Sequence, residues 1–175
     1  MPILETERLL LRPPIPADVP AMATWLGDYD VARNMSRVPY PYGEQDAENF
    51  IAGLVRPGHC FAIVRRDSGM FLGGCGLHTN EKGVEFGYWL GKPFWGEGFA
   101  TEAARRMVRF AFEELGLDSV FAGWFADNPA SGHVLAKLGA RHQGTSLRHS
   151  LARGRRVLCH EMLLTRETFL SKRAA

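Results

Sequence analysis

The segment GKPFWGEGFATE, from Gly91 to Glu102, carries the residues best suited to holding an anion. An apolar run from Val84 to Leu90 leads into it and a long helical stripe leaves it. Gly96 and Gly98 therefore sit where a strand turns into a helix. Glycine lets the backbone approach a ligand closely. The first N–H groups of a helix lack internal partners, and its dipole favours negative charge there. Together these features make a pyrophosphate cradle. The segment matches neither common phosphate loop, because Thr101 stands where Gly-x-Gly-x-x-Gly needs its third glycine and no Gly-Lys-Ser/Thr follows. The same residues also suit an ordinary strand-to-helix turn.

Proton-transfer groups are few. Glu85 lies in an apolar strand with Phe86, Tyr88 and Leu90, and alternation puts it on the side of Gly87 and Trp89. A carboxylate there is either a general base or an edge-facing glutamate paired with a surface arginine. His78 ends the preceding strand, across from Glu85, and Glu161 lies in the last strand; both are weaker candidates. His133 falls on an exposed helix position. The six histidines show no paired ligand spacing, so no metal is expected. Cys60, Cys75 and Cys159 are odd in number and form no C-x-x-C, so they are not a disulfide framework and read as small core residues.

The elements that must position these groups follow from periodicity and punctuation. Leu9 to Leu11 is a short buried strand. Asp18 can cap a helix carrying Val19, Met22 and Leu26, and a second helix runs from Glu44 to Val55, broken by Arg56-Pro57-Gly58. Gly27 to Gly43 between them is irregular. Strands over residues 60–64 and 70–77 turn at Asp67-Ser68-Gly69, and a third antiparallel strand runs from Val84 to Leu90. The next helix carries Phe99, Ala103, Met107, Phe110, Ala111 and Leu115 on one stripe and stops at Gly116. After a strand from Ser119 to Phe125, Asn128-Pro129 opens a helix with preferred N-cap and N1 residues, its core face being Ser131, Val134, Leu135 and Leu138. Strands over 141–150 and 156–164 pair around Ala152-Arg153-Gly154. The order predicts one mixed α/β structure, a mostly antiparallel sheet of about seven strands with about four helices.

Composition bounds the function. The 175 residues suit one domain at roughly 100–200 residues each. A net charge of +2 gives no field able to hold nucleic acid by charge alone. No apolar stretch approaches the ~20 residues that span a bilayer, and Glu5 and Glu7 precede any apolar run, so no signal peptide is visible and a cytoplasmic protein is expected. Arg148, Arg153, Arg155 and Arg156 read as a solvated basic hairpin, or as one that meets a ribosomal or acidic partner.

Four matches then combine. Glu85 to Leu90 (EFGYWL), Trp95 to Ala103 (WGEGFATEA), Asn128 to Ser131 (NPAS) with Lys137-Leu138-Gly139, and the opening LETERLLLR from Leu4 to Arg12 together resemble the GNAT N-acetyltransferase superfamily, in its RimJ/RimL-like ribosomal-protein branch. The resemblance runs from about residue 3 to 168. It implies a GNAT-like sheet splayed between strands 84–90 and 119–125, and transfer of acetyl from acetyl-CoA to an amine. Backbone groups at Trp89 and Leu90 would pair with pantetheine, the N–H groups of Trp95, Gly96, Glu97, Gly98, Phe99, Ala100 and Thr101 would hold pyrophosphate, and Asn128 and Ser131 would contact the cofactor.

Two departures matter. Trp95 replaces the Arg or Gln that often opens the superfamily's loop, so binding there leans on backbone amides. Leu135 occupies the place where many members keep a tyrosine acid, leaving Ser131 as the nearest proton donor, with solvent water or a mere cap-supporting role as the alternatives. The amine must lose a proton, and Glu85 is the first choice of base ahead of His78 and Glu161. Tyr40, Tyr42 and the last hairpin would wall the acceptor site. The expected acceptor is a protein N-terminal amine; a small amine, a non-catalytic CoA-binding module and a homodimer stay open.

Overall fold

The computed structural model of the chain describes residues 2–54 and 59–174, so the expected helix break at Arg56-Pro57-Gly58 lies outside the described residues. A hairpin of β1 (Leu4–Glu5) and β2 (Leu9–Arg12) opens the chain. Three helices follow: α1 (Val19–Leu26), α2 (Tyr29–Ala32) and α3 (Glu44–Ala52). The meander β3 (Cys60–Arg65), β4 (Phe71–Asn80) and β5 (Gly83–Leu90) leads into α4 (Phe99–Arg109). Then come β6 (Ser119–Phe125), α5 (Pro129–Leu138), the hairpin β7 (Arg141–Ser150) and β8 (Arg155–Thr165), and α6 (Arg166–Ala174). All strands join one sheet in the order β1-β2-β3-β4-β5-β6-β8-β7.

Several boundaries differ from expectation, each for a local reason. The eighth strand is β1, too short to read by periodicity until Leu4 pairs with Leu11. Within the stretch read as irregular, Asp28 accepts from Asp30 N–H at 2.8 Å and caps α2. The sixth helix, α6, is anchored by buried Phe169 against Phe112. Asp18 does not cap α1 with its side chain; its buried carboxylate turns back to Arg12 and Ile15 N–H. Leu115 leaves the expected stripe and is 39 % exposed. A single π-helical turn, Phe110–Glu114, explains this: the extra residue in the turn rotates Leu115 off the core face.

Every neighbouring pair in the sheet is antiparallel except β5 and β6. That pair is parallel because α4 carries the chain back between them, as parallel neighbours require. β5 matches β4 from Gly83↔Asn80 to Leu90↔Gly73, yet meets β6 only at Glu85↔Phe121. Beyond that vertex the two strands separate. Alternation along β5 sends Phe86, Tyr88 and Leu90 into the core formed with α4 and α5, while Trp89 packs with Val19, Met22, Ala62 and Phe71 on the face covered by α1 and α3.

Candidate active site

The separated strands open a cavity of about 1030 Å³, lined from β5 by Glu85 through Leu90 and from the following loop by Trp95, Gly96 and Gly98. Gly96 and Gly98 both have φ +82°, a left-handed conformation that only glycine adopts cheaply. Among the described residues, the N–H groups from Gly96 to Thr101 donate to no backbone carbonyl; the first to do so is Glu102, to Gly98 O at 3.1 Å. The result is a concave run of free donors at the start of an eleven-residue helix.

Side chains around this loop serve it indirectly. The Trp95 indole donates to Leu90 O at 2.9 Å, tying the loop to the strand end. The Phe99 side chain is buried in the core, and neither it nor Glu97 lines the cavity, so both offer backbone only. Arg8, which the sequence marked only as a strand flank, reaches the loop from the β1–β2 turn. Its guanidinium donates to Glu97 O (2.9 Å) and Glu102 Oε2 (2.7 Å) and lies over the Phe99 ring at 4.4 Å. No local signal links residues ninety apart; only the sheet brings them together.

On the opposite face, Glu85 stands at the vertex. Its carboxylate accepts from Arg148 Nη1 and, at 3.0 Å, from Asn80 Nδ2. Arg148 lies across Gly123 of β6, where an added Cβ would stand 3.1 Å from its Cζ, and also binds Glu161 at 3.0 and 2.5 Å. The expectation that Arg148 is a solvated hairpin residue is therefore corrected: the missing side chain at Gly123 lets it run inward between two carboxylates. Burial raises Glu161, but the Arg148 and Ser146 hydrogen bonds outweigh it and hold the carboxyl below its ordinary range. Glu161 does not line the cavity. His78 does, and is the register partner of Glu85; burial, then nearby Arg37, lowers its pKa, so the imidazole is neutral at pH 7.

The third group faces α4 and α5. Asn128 caps α5, its side chain accepting from Ser131 N–H at 3.4 Å, and Gly139 closes the helix at φ +93°. The Ser131 hydroxyl takes no part in that cap. It meets the Tyr88 hydroxyl at 3.0 Å. Tyr88 escaped the sequence reading because a tyrosine in an apolar strand reads as core. Leu135 is buried and cannot exchange a proton; Gly132 and Leu138, not Ser131 and Val134, complete the buried face of α5.

The family model for the acetyltransferase (GNAT) domain matches residues 8–141. The chain belongs to the GNAT acetyltransferase family. The N-acetyltransferase YoaA of Bacillus subtilis is 31 % identical over 157 residues, covering 82 % of this chain and 85 % of that one. A GNAT acetyltransferase structure from Bacillus anthracis superposes with a TM-score of 0.83 at 22 % identity, over 95 % of this chain and 99 % of that one. Spermidine N-acetyltransferase of Vibrio cholerae, solved with CoA and spermine, shares the fold (TM-score 0.78, 17 % identity, 94 % and 99 % covered). So does ribosomal-protein-S5-alanine acetyltransferase of Vibrio fischeri (0.78, 16 %, 94 % and 97 %).

GNAT acetyltransferases use acetyl-CoA; in this chain β5 beyond Glu85 has no β6 partner and lies beside the glycine loop with its free N–H groups. Among the described residues no helix is long and apolar enough to cross a membrane.

A clasp closes the GNAT sheet beyond the opening. Asp127, just before α5, accepts from Arg33 (2.7 Å) and from both terminal nitrogens of Arg153 (2.7 and 3.0 Å). Arg153 also donates to Arg33 O and is only 4 % exposed, a second correction to the solvated hairpin. The Arg153 hydrogen bond is the main reason that Asp127 falls from 3.8 to about 2. A depressed carboxyl stabilises the fold above its unfolded pKa and loses that contribution as pH falls through the folded one. The thermal midpoint should accordingly decline between about pH 4 and pH 2. Because Asp127 is 42 % exposed, its share is discounted to roughly 1 kcal/mol, about 2–4 °C. Differential scanning fluorimetry of Asp127→Asn should show a midpoint lowered by that amount at pH 7 and a shallower acid decline.

Proposed function

We propose that this chain acetylates a primary amine by direct transfer from acetyl-CoA, with a protein N-terminal α-amine as acceptor. The observation that carries the reading is the single-pair junction at Glu85↔Phe121, which leaves a carboxylate on one face of the opened sheet and a hydroxyl pair on the other. The thioester supplies an activated acetyl carbonyl. The N–H groups of residues 96–101 would hold the pyrophosphate, that of Trp95 being taken by Lys92 O at 3.2 Å; the part of β5 left without a β6 partner, at Trp89 and Leu90, would take the pantetheine, and Asn128 and Ser131 the arm nearest α5.

Glu85 would take the proton of the incoming ammonium, directly or through water, from the face walled by α1, α3 and the last hairpin. Ser131 would return one to the departing thiolate on the opposite face. A covalent acyl-enzyme is disfavoured by the thiols themselves. Burial raises Cys60 and Cys75 above the ordinary range and pushes Cys159 up to about 11, so none is a ready thiolate.

The acceptor argument rests on charge. A polyamine calls for several carboxylates, whereas Glu85 and Glu161 share Arg148 and leave one net negative charge at the vertex for an incoming ammonium. An α-amine, with a pKa of about 7.7–8.0, needs less help to deprotonate than a lysine or alkylamine near 10.4. Intact-mass analysis after incubation with acetyl-CoA tests this on a peptide with a free N-terminus, its N-blocked twin carrying lysine, and spermidine. One acetyl on the free N-terminus alone is expected. Acetylation of spermidine alone would overturn the acceptor assignment, and binding without turnover on any amine would make the chain a CoA-binding module.

Ser131→Ala should lower kcat by about tenfold at pH 7, with the gap narrowing as pH rises past the thiol pKa of about 8.5, where the leaving group needs no proton. Steady-state kinetics across that range is the measurement, with circular dichroism to check the start of α5.

A further inference from the structure

Tyr88 belongs to β5 and Ser131 to α5, yet their hydroxyls meet at 3.0 Å and both residues line the cavity between the parted strands. The phenol ring has little freedom. It stacks on Phe86 at 5.7 Å and packs against the buried cluster built with α4 and α5. Among the described residues, Ser131 is the only hydrogen-bond partner of the Tyr88 hydroxyl.

Relative acidity favours the phenol as the donor of this hydrogen bond. A phenol is a far stronger acid than an aliphatic alcohol, and its oxygen lone pair is drawn into the ring, so it donates well and accepts poorly. Tyr88 therefore donates to Ser131 Oγ, and the serine hydrogen must point away from Tyr88. Ser131 N–H serves the cap, to Asn128 O at 3.1 Å and the Asn128 side-chain oxygen at 3.4 Å, and among the described residues the Ser131 hydroxyl has no acceptor besides Tyr88. The direction left is the cavity.

We infer that Tyr88 is a positioning residue for the leaving group, aiming the Ser131 hydroxyl hydrogen at the departing sulfur and stabilising the serine oxygen as it gives that hydrogen up. The inference rests on the reading of Ser131 as proton donor. The amine nitrogen bonds to the acetyl carbon as the C–S bond breaks; the C–S electron pair stays on sulfur, the Ser131 proton moves to sulfur, and the second proton that the nitrogen sheds passes through cavity water to restore Ser131. Tyr88 keeps its own proton throughout, because burial pushes the phenol up to about 12 against the Ser131 hydrogen bond. The other ionisable groups toward the pair are the raised Cys75 thiol, cross-strand partner of Tyr88, and His133 and Lys137 at exposed positions of α5.

The device also works without turnover, since a serine hydrogen aimed at sulfur favours the thiolate of bound product. Tyr88→Phe removes one oxygen and leaves the packed ring. The thiol of CoA, titrated on the protein by its ultraviolet thiolate absorbance, should have a pKa below the free value of about 8.5 in the parent and return toward it in Tyr88→Phe. In kinetics, kcat should fall about tenfold, the order of one lost buried hydrogen bond, with KM for acetyl-CoA within about twofold. The double variant with Ser131→Ala should be no slower than Ser131→Ala alone, as expected for two residues acting as one unit.

If Ser131→Ala slows turnover but Tyr88→Phe changes neither kcat nor the bound thiol pKa, Tyr88 is a packing residue and the inference fails while the Ser131 reading stands. If the two effects multiply, Tyr88 acts independently and the inference also fails. Normal turnover in Ser131→Ala would instead overturn the Ser131 reading itself.

Discussion

Glu85→Gln is expected to lower kcat by about 10²–10⁴-fold, the usual range for a lost general base, while leaving CoA affinity unchanged. The structure sharpens why. Glu85 is the residue of β5 at which pairing with β6 ends, so its carboxylate stands where the cavity begins. The groups assigned to the cofactor are backbone donors of the loop and strand edge, and none depends on the Glu85 side chain. Glutamine keeps the shape and an oxygen for Arg148, and Arg148 retains Glu161, so the fold has no reason to collapse. Isothermal titration with CoA should match the parent while turnover is lost. Turnover within about threefold of the parent across the same pH range would remove Glu85 from the role. The neutral imidazole of His78, directly across the β4–β5 ladder, would be the next group to test.

The second large effect is on binding. Gly98→Val places a β-branched residue at φ +82°, where an L side chain costs roughly 1–3 kcal/mol of backbone strain. Its Cβ would also stand 3.4 Å from Arg8 Nη2, the guanidinium that steadies Glu97 O and Glu102. The loop must therefore either bear the strain or unwind, and unwinding rotates the N–H groups from Gly96 to Thr101 out of their shared concavity. A loss of CoA affinity of at least about tenfold is expected by calorimetry on folded protein, since those donors and the helix dipole are the groups proposed to hold the pyrophosphate together. Unchanged affinity would place the pyrophosphate elsewhere.

The parts of this protein legible in the chain are those set by neighbours in sequence. Gly96 and Gly98, followed by the stripe from Phe99 to Ala111, specify a strand-to-helix cradle because turn conformation and helical periodicity are local properties. Asn128-Pro129 and Gly139 bound α5 for the same reason, and the strands from Ser119 to Phe125 and from Arg141 to Ser150 stand where alternation put them. Alternation also separated Glu85 from Tyr88 on β5, although nothing local distinguished Tyr88 from a core aromatic.

What only the tertiary structure decided lies where distant elements meet. Arg148 reaches Glu85 from β7 across β8 and β6, because Gly123 leaves its guanidinium a path; strand order is invisible to periodicity. Arg8 supports the glycine loop, and Arg153 clasps Asp127, across separations of 89 and 26 residues. Tyr88 finds Ser131 only once β5 and β6 part and α5 packs beside the gap. Local sequence sets each element's conformation through hydrogen bonds and sterics within a few residues. The pairing of charges and hydroxyls across elements depends instead on which strands lie side by side, and folding the whole sheet settles that.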